Sequence, residues 1–298
     1  MLSTVFLLGL LYALFVTVLI IVGVKLVLVL VIALVLLFVQ YFYSDRIALY
    51  SMGGKIVTRE QAPQLHGVVD RLCAMADMPK PQVAIANVDL PNAFATGRDK
   101  KHAVVCVTSG ILRRLDEAEL EAVLAHELSH VAHRDVAVMT IASFLGILAG
   151  LLTRVLLYAG LFGGFGGGGN RNRSGGGSAG GQIVLVELGM LAFSALIYAI
   201  SFVLIRTLSR YRELAADRSG AILIGQPRVL AQALIKVSGE MSRIPTRDLR
   251  AAEHFNAFFF APAFAKGVSL SSLFSTHPTL ERRLQQLTEL EVQMGRAA

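Results

Sequence analysis

Two histidines and a glutamate stand at the spacing of a metal-binding helix. The segment His126-Glu127-Leu128-Ser129-His130 places two imidazoles four residues apart, on one face of an α-helix, where both can reach one ion. Glu127 is rotated by about 100° from His126, so it can face a water on the metal without ligating the metal itself. The pattern predicts zinc-dependent hydrolysis with Glu127 as the catalytic base. A surface helix with incidental histidines is the alternative.

A hydrolytic zinc site needs a third protein ligand and one open position for water. The extended H-E-x-x-H-x-x-G-x-x-H pattern fails here, because His133 stands where Gly belongs and Val136 where the third His belongs. We predict Glu213 as the third ligand, since Asp217 follows four residues later on the same helical face and could orient a ligand histidine. Two solvated surface acids are the alternative. His133 is interpreted as helix surface.

The elements that must position these residues can be predicted from the flanking sequence. Asp116 is a candidate N-cap for the helix that carries both histidines, and Glu119 follows at capping-box spacing. Residues 90–97 are bounded by turn formers and suit an exposed sheet edge, which can pair with an extended peptide. A further helix and two strands are predicted at 62–78, 83–86 and 103–107.

The composition predicts a membrane protein. Of 298 residues, 54% are hydrophobic, and the mean hydropathy of +0.61 is too high for an ordinary soluble protein. Four apolar runs are long enough to cross a bilayer core of about 30 Å, at residues 4–22, 26–43, 136–152 and 183–205. A cleaved signal peptide is the alternative for the first run. It is disfavoured because no basic region precedes the run and no small-residue cleavage site follows it.

These runs predict four segments of the chain. They are an N-terminal transmembrane hairpin (1–43), a first catalytic segment (44–135), a second transmembrane pair (136–205) with a flexible Gly-rich loop (163–181), and a second catalytic segment (206–298). Four spans put both polar segments on one side of the membrane. Basic residues flank the spans mainly on that side, so the positive-inside rule predicts a cytoplasmic catalytic domain.

The net charge of +7 is interpreted as topology and lipid contact, and nucleic acid is not expected as a partner. The chain has only two cysteines, Cys73 and Cys106, which are far apart in sequence. Neither a disulfide framework nor a thiolate zinc site is indicated, which suits a reducing cytoplasm.

Three motifs together resemble the HtpX-like M48 metalloproteases of bacterial inner membranes. The resemblance covers nearly the whole chain and includes the two spans between the second and third ligands. It implies a mainly α membrane protein with an α+β, gluzincin-type catalytic domain and a small sheet. It also implies one zinc ion per chain and a role in membrane protein quality control, with damaged or misfolded membrane proteins as substrates. The motifs are the H-E-x-x-H segment, Ser209-Arg210-Tyr211-Arg212-Glu213-Leu214-Ala215-Ala216-Asp217 and Ser275-Thr276-His277-Pro278-Thr279-Leu280-Glu281-Arg282-Arg283-Leu284.

The same resemblance implies two further roles. Asn92-Ala93-Phe94 looks like the edge segment that holds the substrate backbone in related zinc peptidases. His277 matches a family histidine that lies near the metal and is a candidate for stabilising the oxyanion. N-capping of the helix that begins near Pro278 is the alternative role for His277.

Helix geometry predicts where the metal lies. If the helices of His130 and Glu213 continue into the third and fourth spans, the metal is about 9–12 Å from the membrane along them. Juxtamembrane or extracted segments are then the expected substrates. The alternatives are a prenyl-protein (CaaX) protease of the M48 type, which needs more spans, and a non-catalytic zinc-bearing scaffold, which would not require Glu127.

Overall fold

The computed structural model describes residues 2–22, 26–163, 179–243 and 277–297. Within these ranges the chain is mostly helical, with one small sheet. The helices are α1 (Leu2–Val22), α2 (Leu26–Met52), α3 (Pro63–Met75), α4 (Ser109–Arg114), α5 (Glu117–Ala132), α6 (Asp135–Gly163), α7 (Ala179–Ile224), α8 (Pro227–Arg243) and α9 (Leu280–Ala297), with a 3-10 turn at Lys100–His102. The strands are β1 (Gly54–Ile56), β2 (Gln82–Ala86), β3 (Ala93–Thr96) and β4 (Val104–Thr108).

The chain divides into two compact units, made of residues 1–38 with 140–205, and residues 39–139 with 206–298. The first unit is built from apolar helices. Its core includes Phe15, which stacks on Phe193 with ring centroids 6.1 Å apart. A Cβ on Gly150 would lie 3.3 Å from the Tyr198 ring, so the missing side chain lets α6 and α7 pack closely here.

Two helices among the described residues are long and apolar enough to cross a membrane. They contain Asp135–Thr153 in α6 and Leu188–Ile224 in α7, and α1 holds a shorter apolar stretch, Phe6–Val18. Two of the four predicted spans therefore meet this criterion. Residues 23–25, between the two runs of the predicted N-terminal hairpin, and most of the Gly-rich loop lie outside the described residues.

The second unit contains a four-stranded mixed sheet in the order β1-β2-β4-β3. The central strands β2 and β4 are parallel, with Ala84 opposite Cys106, and both outer strands are antiparallel to their neighbours. The start of β3 is held by Thr108, whose hydroxyl accepts a hydrogen bond from the Asn92 amide at 2.9 Å. β3 forms an edge of the sheet, which confirms the edge strand predicted within residues 90–97.

Helix α5 carries the H-E-x-x-H segment and has the predicted capping box. The Asp116 carboxylate accepts from the Glu119 amide at 2.8 Å, and the Glu119 carboxylate accepts from the Asp116 amide at 3.0 Å. α5 contacts α3, α8 and β3, and its apolar side chains Val123, Leu124 and Leu128 are buried. Burial of each such side chain stabilises the fold by about 1.5–3 kcal/mol, so the position of α5 is fixed by the core.

Several boundaries differ from the predicted ones for identifiable reasons. α3 ends at Met75, three residues early, and Asp77 follows it with a left-handed φ of 45°. α2 continues to Met52, because the prediction at Tyr43 followed the loss of apolar character, whereas a helix can continue through polar sequence. β1 was not predicted, since its three residues are too few to show alternation.

Candidate metal centre

Helices α5 and α7 approach each other at Gly220, where the backbone of α7 lies directly against the backbone of α5. A Cβ on Gly220 would lie 2.8 Å from the His126 nitrogen and 3.0 Å from the Ala125 carbonyl carbon, so no larger residue fits without a shift. Asp217 and Glu213 lie about one and two turns before Gly220 on α7. This close approach therefore brings both carboxylates to the histidines of α5.

His126, His130 and Glu213 form a cluster that could hold a metal ion. One ligand atom from each lies within 4.8 Å of the others. The two Nε2 atoms are 3.2 Å apart, and the Glu213 carboxylate oxygens lie 3.7 Å from His126 Nε2 and 3.4 Å from His130 Nε2. His126 and Glu213 are buried, and His130 is half-buried.

The donor chemistry of this cluster fits a cation. Each ring has a carboxylate against its Nδ1, at 2.8 Å for His126 and 2.6 Å for His130. A hydrogen on Nδ1 satisfies these carboxylates and leaves a lone pair on each Nε2. Two lone pairs and the Glu213 carboxylate then converge in one place, which is repulsive unless a cation lies between them. Burial also lowers the pKa of His126, which favours the neutral ring that a metal requires.

The carboxylate behind His126 belongs to Asp217, as the sequence predicted for an orienting group. Asp217 is fully buried and is paired with the buried Arg283 of α9. The guanidinium donates to both carboxylate oxygens, from Nε at 2.7 Å and from a terminal nitrogen at 2.6 Å. His126, Asp217 and Arg283 thus form a continuous chain of contacts, from the guanidinium through the carboxylate to the ring.

A second chain of the same kind lies behind His130, and sequence reasoning missed it. The carboxylate is Asp135, the first residue of α6, and it forms an ion pair with the buried Arg212 of α7. Arg212 directly precedes Glu213 in the sequence. The sequence does show Asp135 as a charge at the start of an apolar helix and Arg212 as a charge inside the Glu213 motif. It does not show which residues these two charges contact.

Glu127 lies beside the edge strand. One of its carboxylate oxygens accepts a hydrogen bond from the Ala95 amide of β3 at 3.0 Å. Burial raises the pKa of Glu127 to about 8, and Glu213 adds to the increase, while His130 and the Ala95 amide oppose it. A cation held by the adjacent histidines would also oppose the increase, since a positive charge favours the carboxylate form.

The predicted substrate segment lies at the same edge. Ala93 and Phe94 belong to β3 and are buried, and Asn92 is buried directly before it. The Ala95 amide points away from β4, towards Glu127, so by strand alternation the backbone groups of Ala93 point away from β4 as well. This side of β3 therefore offers backbone hydrogen-bonding groups next to the cluster.

His277 lies against Glu213. Its Nδ1 is 3.0 Å from a Glu213 carboxylate oxygen, and its side chain is buried. The first turn of α9 is capped by Thr279, whose hydroxyl accepts from the Arg282 amide at 3.3 Å. The hydrogen bond of the N-cap is thus accepted by Thr279, while the His277 side chain contacts Glu213. His133 lies at the end of α5 with an exposed side chain, outside the cluster, which agrees with its interpretation as helix surface.

Comparison with known proteins identifies relatives along the whole chain. The model of peptidase family M48 matches residues 59–291. The chain is 56% identical over 294 residues to "Protease HtpX homolog 1" of Streptomyces coelicolor, covering 99% of this chain and 92% of that protein. It is 51% identical over 295 residues to "Protease HtpX homolog" of Moorella thermoacetica, covering 99% and 94%.

A solved structure shares the fold. The crystal structure of S. mikatae Ste24p superposes with a TM-score of 0.56 at 18% sequence identity. The match covers 94% of this chain and 62% of the Ste24p chain, so this chain spans less than two thirds of that protein.

Proposed function

The chain belongs to peptidase family M48 and is a membrane-associated metalloprotease; we propose that its metal is zinc and that it cleaves damaged or misfolded membrane proteins. His126, His130 and Glu213 would hold the ion, one per chain. Two imidazoles and one carboxylate are the ligand set of many catalytic zinc sites, in which the fourth position stays open. The convergence of these three donors is the observation that carries the proposal.

The proposed reaction is hydrolysis of a peptide bond with Glu127 as general base. A bound zinc ion would supply Lewis acidity, which lowers the pKa of water and polarises a carbonyl. Glu127 accepts the proton from the attacking water and passes it to the leaving amine, without a covalent intermediate. The contact between Glu127 and the Ala95 amide supports this role, because it holds the base beside the strand that would carry the substrate.

Two neighbouring groups would position the substrate. An extended peptide would lie along the outer edge of β3 at Asn92-Ala93-Phe94, pair with the outward backbone groups of Ala93, and so run past Glu127. His277 would stabilise the oxyanion, and its contact with Glu213 supports a position at the reacting centre. Asp217 would orient His126, as its 2.8 Å contact with the ring suggests.

We further propose that the protein is a multi-pass protein of the bacterial inner membrane with four spans and a cytoplasmic catalytic domain. The apolar lengths of α1, α2, α6 and α7 and the distribution of basic residues support this topology. Juxtamembrane or extracted segments of membrane proteins would be the substrates. A CaaX protease is less well supported, since the relatives with high identity are named as HtpX homologues and the likeness to Ste24p extends to the fold alone.

The direct test combines zinc content with casein cleavage for the purified full chain in detergent. Glu127→Gln should retain about one zinc ion per chain and lose at least about 10²-fold in cleavage rate, since it removes the general base. Glu213→Ala should lose zinc as well as cleavage. His133→Ala is the matched control, because this histidine lies on the same helix but outside the cluster. A Glu127→Gln protein with wild-type activity would disprove the assignment.

The substrate proposal needs its own measurement. One cleavable sequence is presented either as a soluble peptide or tethered to a transmembrane helix in the same bilayer as the enzyme, at matched concentration. We expect faster cleavage of the tethered form. Equal rates for the two forms would contradict the preference for juxtamembrane segments while leaving the catalytic assignment intact.

A further inference from the structure

A short loop directly after the edge strand contacts the end of the apolar run of α2. This basic loop, residues 97–102, joins β3 to β4. The Tyr41 hydroxyl donates to the Arg98 carbonyl at 3.3 Å, and the Arg98 guanidinium carbon lies 5.4 Å from the centroid of the Phe42 ring. Tyr41 and Phe42 follow the apolar part of α2, where aromatic residues are typical of the membrane interface.

The other side of the basic loop meets the beginning of α6. Gly97 and Asp99 line a small cavity together with Arg134, Asp135 and Val136, where the apolar sequence of α6 starts. The loop therefore lies beside two helices at the points where both change from apolar to polar sequence. If α2 and α6 span the bilayer, as the proposed function holds, the loop lies at the level of the lipid headgroups.

The basic loop carries three cations, Arg98, Lys100 and Lys101, and one acid. Its one acid, Asp99, accepts hydrogen bonds from the Lys101 and His102 amides at 2.8 and 2.9 Å and contacts the His102 ring at 2.8 Å, so it is turned to the loop's own backbone. Arg98 Nε is 3.7 Å from the same carboxylate. Among the described residues, Lys100 and Lys101 form no ion pair, and the Lys101 side chain is exposed.

We propose that the basic loop is a binding site for the headgroups of anionic phospholipids. Cations in a row attract the phosphates of an anionic leaflet. The neighbouring aromatic surface favours a lipid over an acidic protein segment, because the Phe42 and Tyr43 side chains are 39% and 45% exposed at the same end of the apolar run of α2. Since the basic loop continues β3 without a break, lipid binding would hold the substrate-binding edge at the bilayer surface.

The test is a binding measurement on the purified full chain in detergent at low salt. The protein is titrated with dioctanoyl-phosphatidylglycerol, dioctanoyl-phosphatidylcholine or sodium phosphate, and binding is followed by the shift in unfolding temperature. Wild type should bind phosphatidylglycerol at least about tenfold more tightly than phosphatidylcholine. One cation near an anionic surface changes the affinity by about fivefold, so the triple variant Arg98→Gln, Lys100→Gln, Lys101→Gln should lose most of this preference.

A second triple variant separates a specific site from general basicity. It makes the same change in net charge at exposed arginines of α4, α8 and α9 and should keep the wild-type preference: Arg113→Gln, Arg228→Gln and Arg282→Gln. The single variant Lys101→Gln, on an exposed side chain, gives an expected loss of about fivefold even if the loop triple variant does not fold.

Three results would overturn the lipid site. They are equal wild-type affinity for the two lipids, equal losses in both triple variants, and displacement of phosphatidylglycerol by free phosphate or polyglutamate at similar concentration. Zinc content and casein cleavage are measured on the same samples. A wild type that binds zinc and cleaves casein but shows no preference for phosphatidylglycerol contradicts the lipid site alone. A wild type that prefers phosphatidylglycerol but lacks zinc and cleavage contradicts the proposed function alone.

Discussion

Replacing Asp217 with Asn should weaken both metal binding and the fold. The carboxylate contacts His126 Nδ1 at 2.8 Å and accepts two bonds from Arg283 at 2.6 and 2.7 Å, and all three side chains are at most 1% exposed. Asn keeps the shape but removes the charge that balances the guanidinium. Neutralising one member of a buried ion pair costs about 3–5 kcal/mol. Loss of a carboxylate behind a ligand histidine lowers metal affinity by about 10–100-fold.

A second substitution separates the two losses. Asp217→Asn combined with Arg283→Met removes the buried charge that the first change leaves uncompensated, and apolar replacement of a buried ion pair is often close to neutral for stability. The double variant should therefore recover most of the unfolding free energy. Its metal affinity should stay about 10–100-fold below wild type, because no carboxylate is restored behind His126.

Two assays on the same preparations measure these effects. Thermal unfolding of the metal-free protein reports stability, and 1 kcal/mol shifts the midpoint by about 2–4 °C for a unit of this size, so Asp217→Asn should unfold about 6–20 °C lower. Competition with a chromophoric chelator reports the zinc dissociation constant. Wild-type zinc affinity in Asp217→Asn would refute the orienting role. A double variant as unstable as the single one would refute the uncompensated charge as the cause of the instability.

Three further outcomes are expected from the same geometry. Asp135→Asn should weaken zinc binding by about 10–100-fold in the chelator competition, because it removes the carboxylate behind His130; unchanged affinity would contradict this role. Gly220→Ala should reduce the free energy of unfolding by about 1–3 kcal/mol, since its methyl group would lie 2.8 Å from the backbone of α5. The unfolding temperature and the zinc affinity should both fall. A variant equal to wild type in both assays would show that α7 need not lie so close to α5. Removing the metal with a chelator should lower the unfolding temperature, and added zinc should restore it in wild type but not in Glu213→Ala, as measured by thermal unfolding.

The parts of the fold predicted correctly depend on contacts that are local in sequence. The capping box of Asp116 and Glu119 spans three residues, and its geometry follows from the start of any helix. The alignment of Glu213 with Asp217 needs only the period of α7. The family predicted from the three motifs is confirmed by the match to peptidase family M48. The motifs could identify it because both their internal spacing and their order along the chain can be read from the sequence.

Arg283 could not be assigned from the sequence, because its partner is 66 residues away. The sequence shows only an arginine in a helix with an apolar face, and an exposed position is the usual interpretation of such a residue. In the structure α9 packs against α8, and the Arg283 guanidinium is fully buried. The sequence likewise left two roles open for His277; Thr279 accepts the N-cap hydrogen bond of α9, and the His277 imidazole contacts Glu213, which is far away in sequence.

Asp135 shows how a break between helices changes which residues meet. Asp135 lies five residues after His130, and on an unbroken helix that spacing puts the two side chains on different faces. The chain breaks between α5 and α6, where Arg134 adopts a left-handed φ of 57°, and Asp135 can then reach the His130 ring at 2.6 Å. Helical periodicity assumes a continuous helix, so it excludes this pair. The break must be known before the orienting carboxylate of His130 can be found.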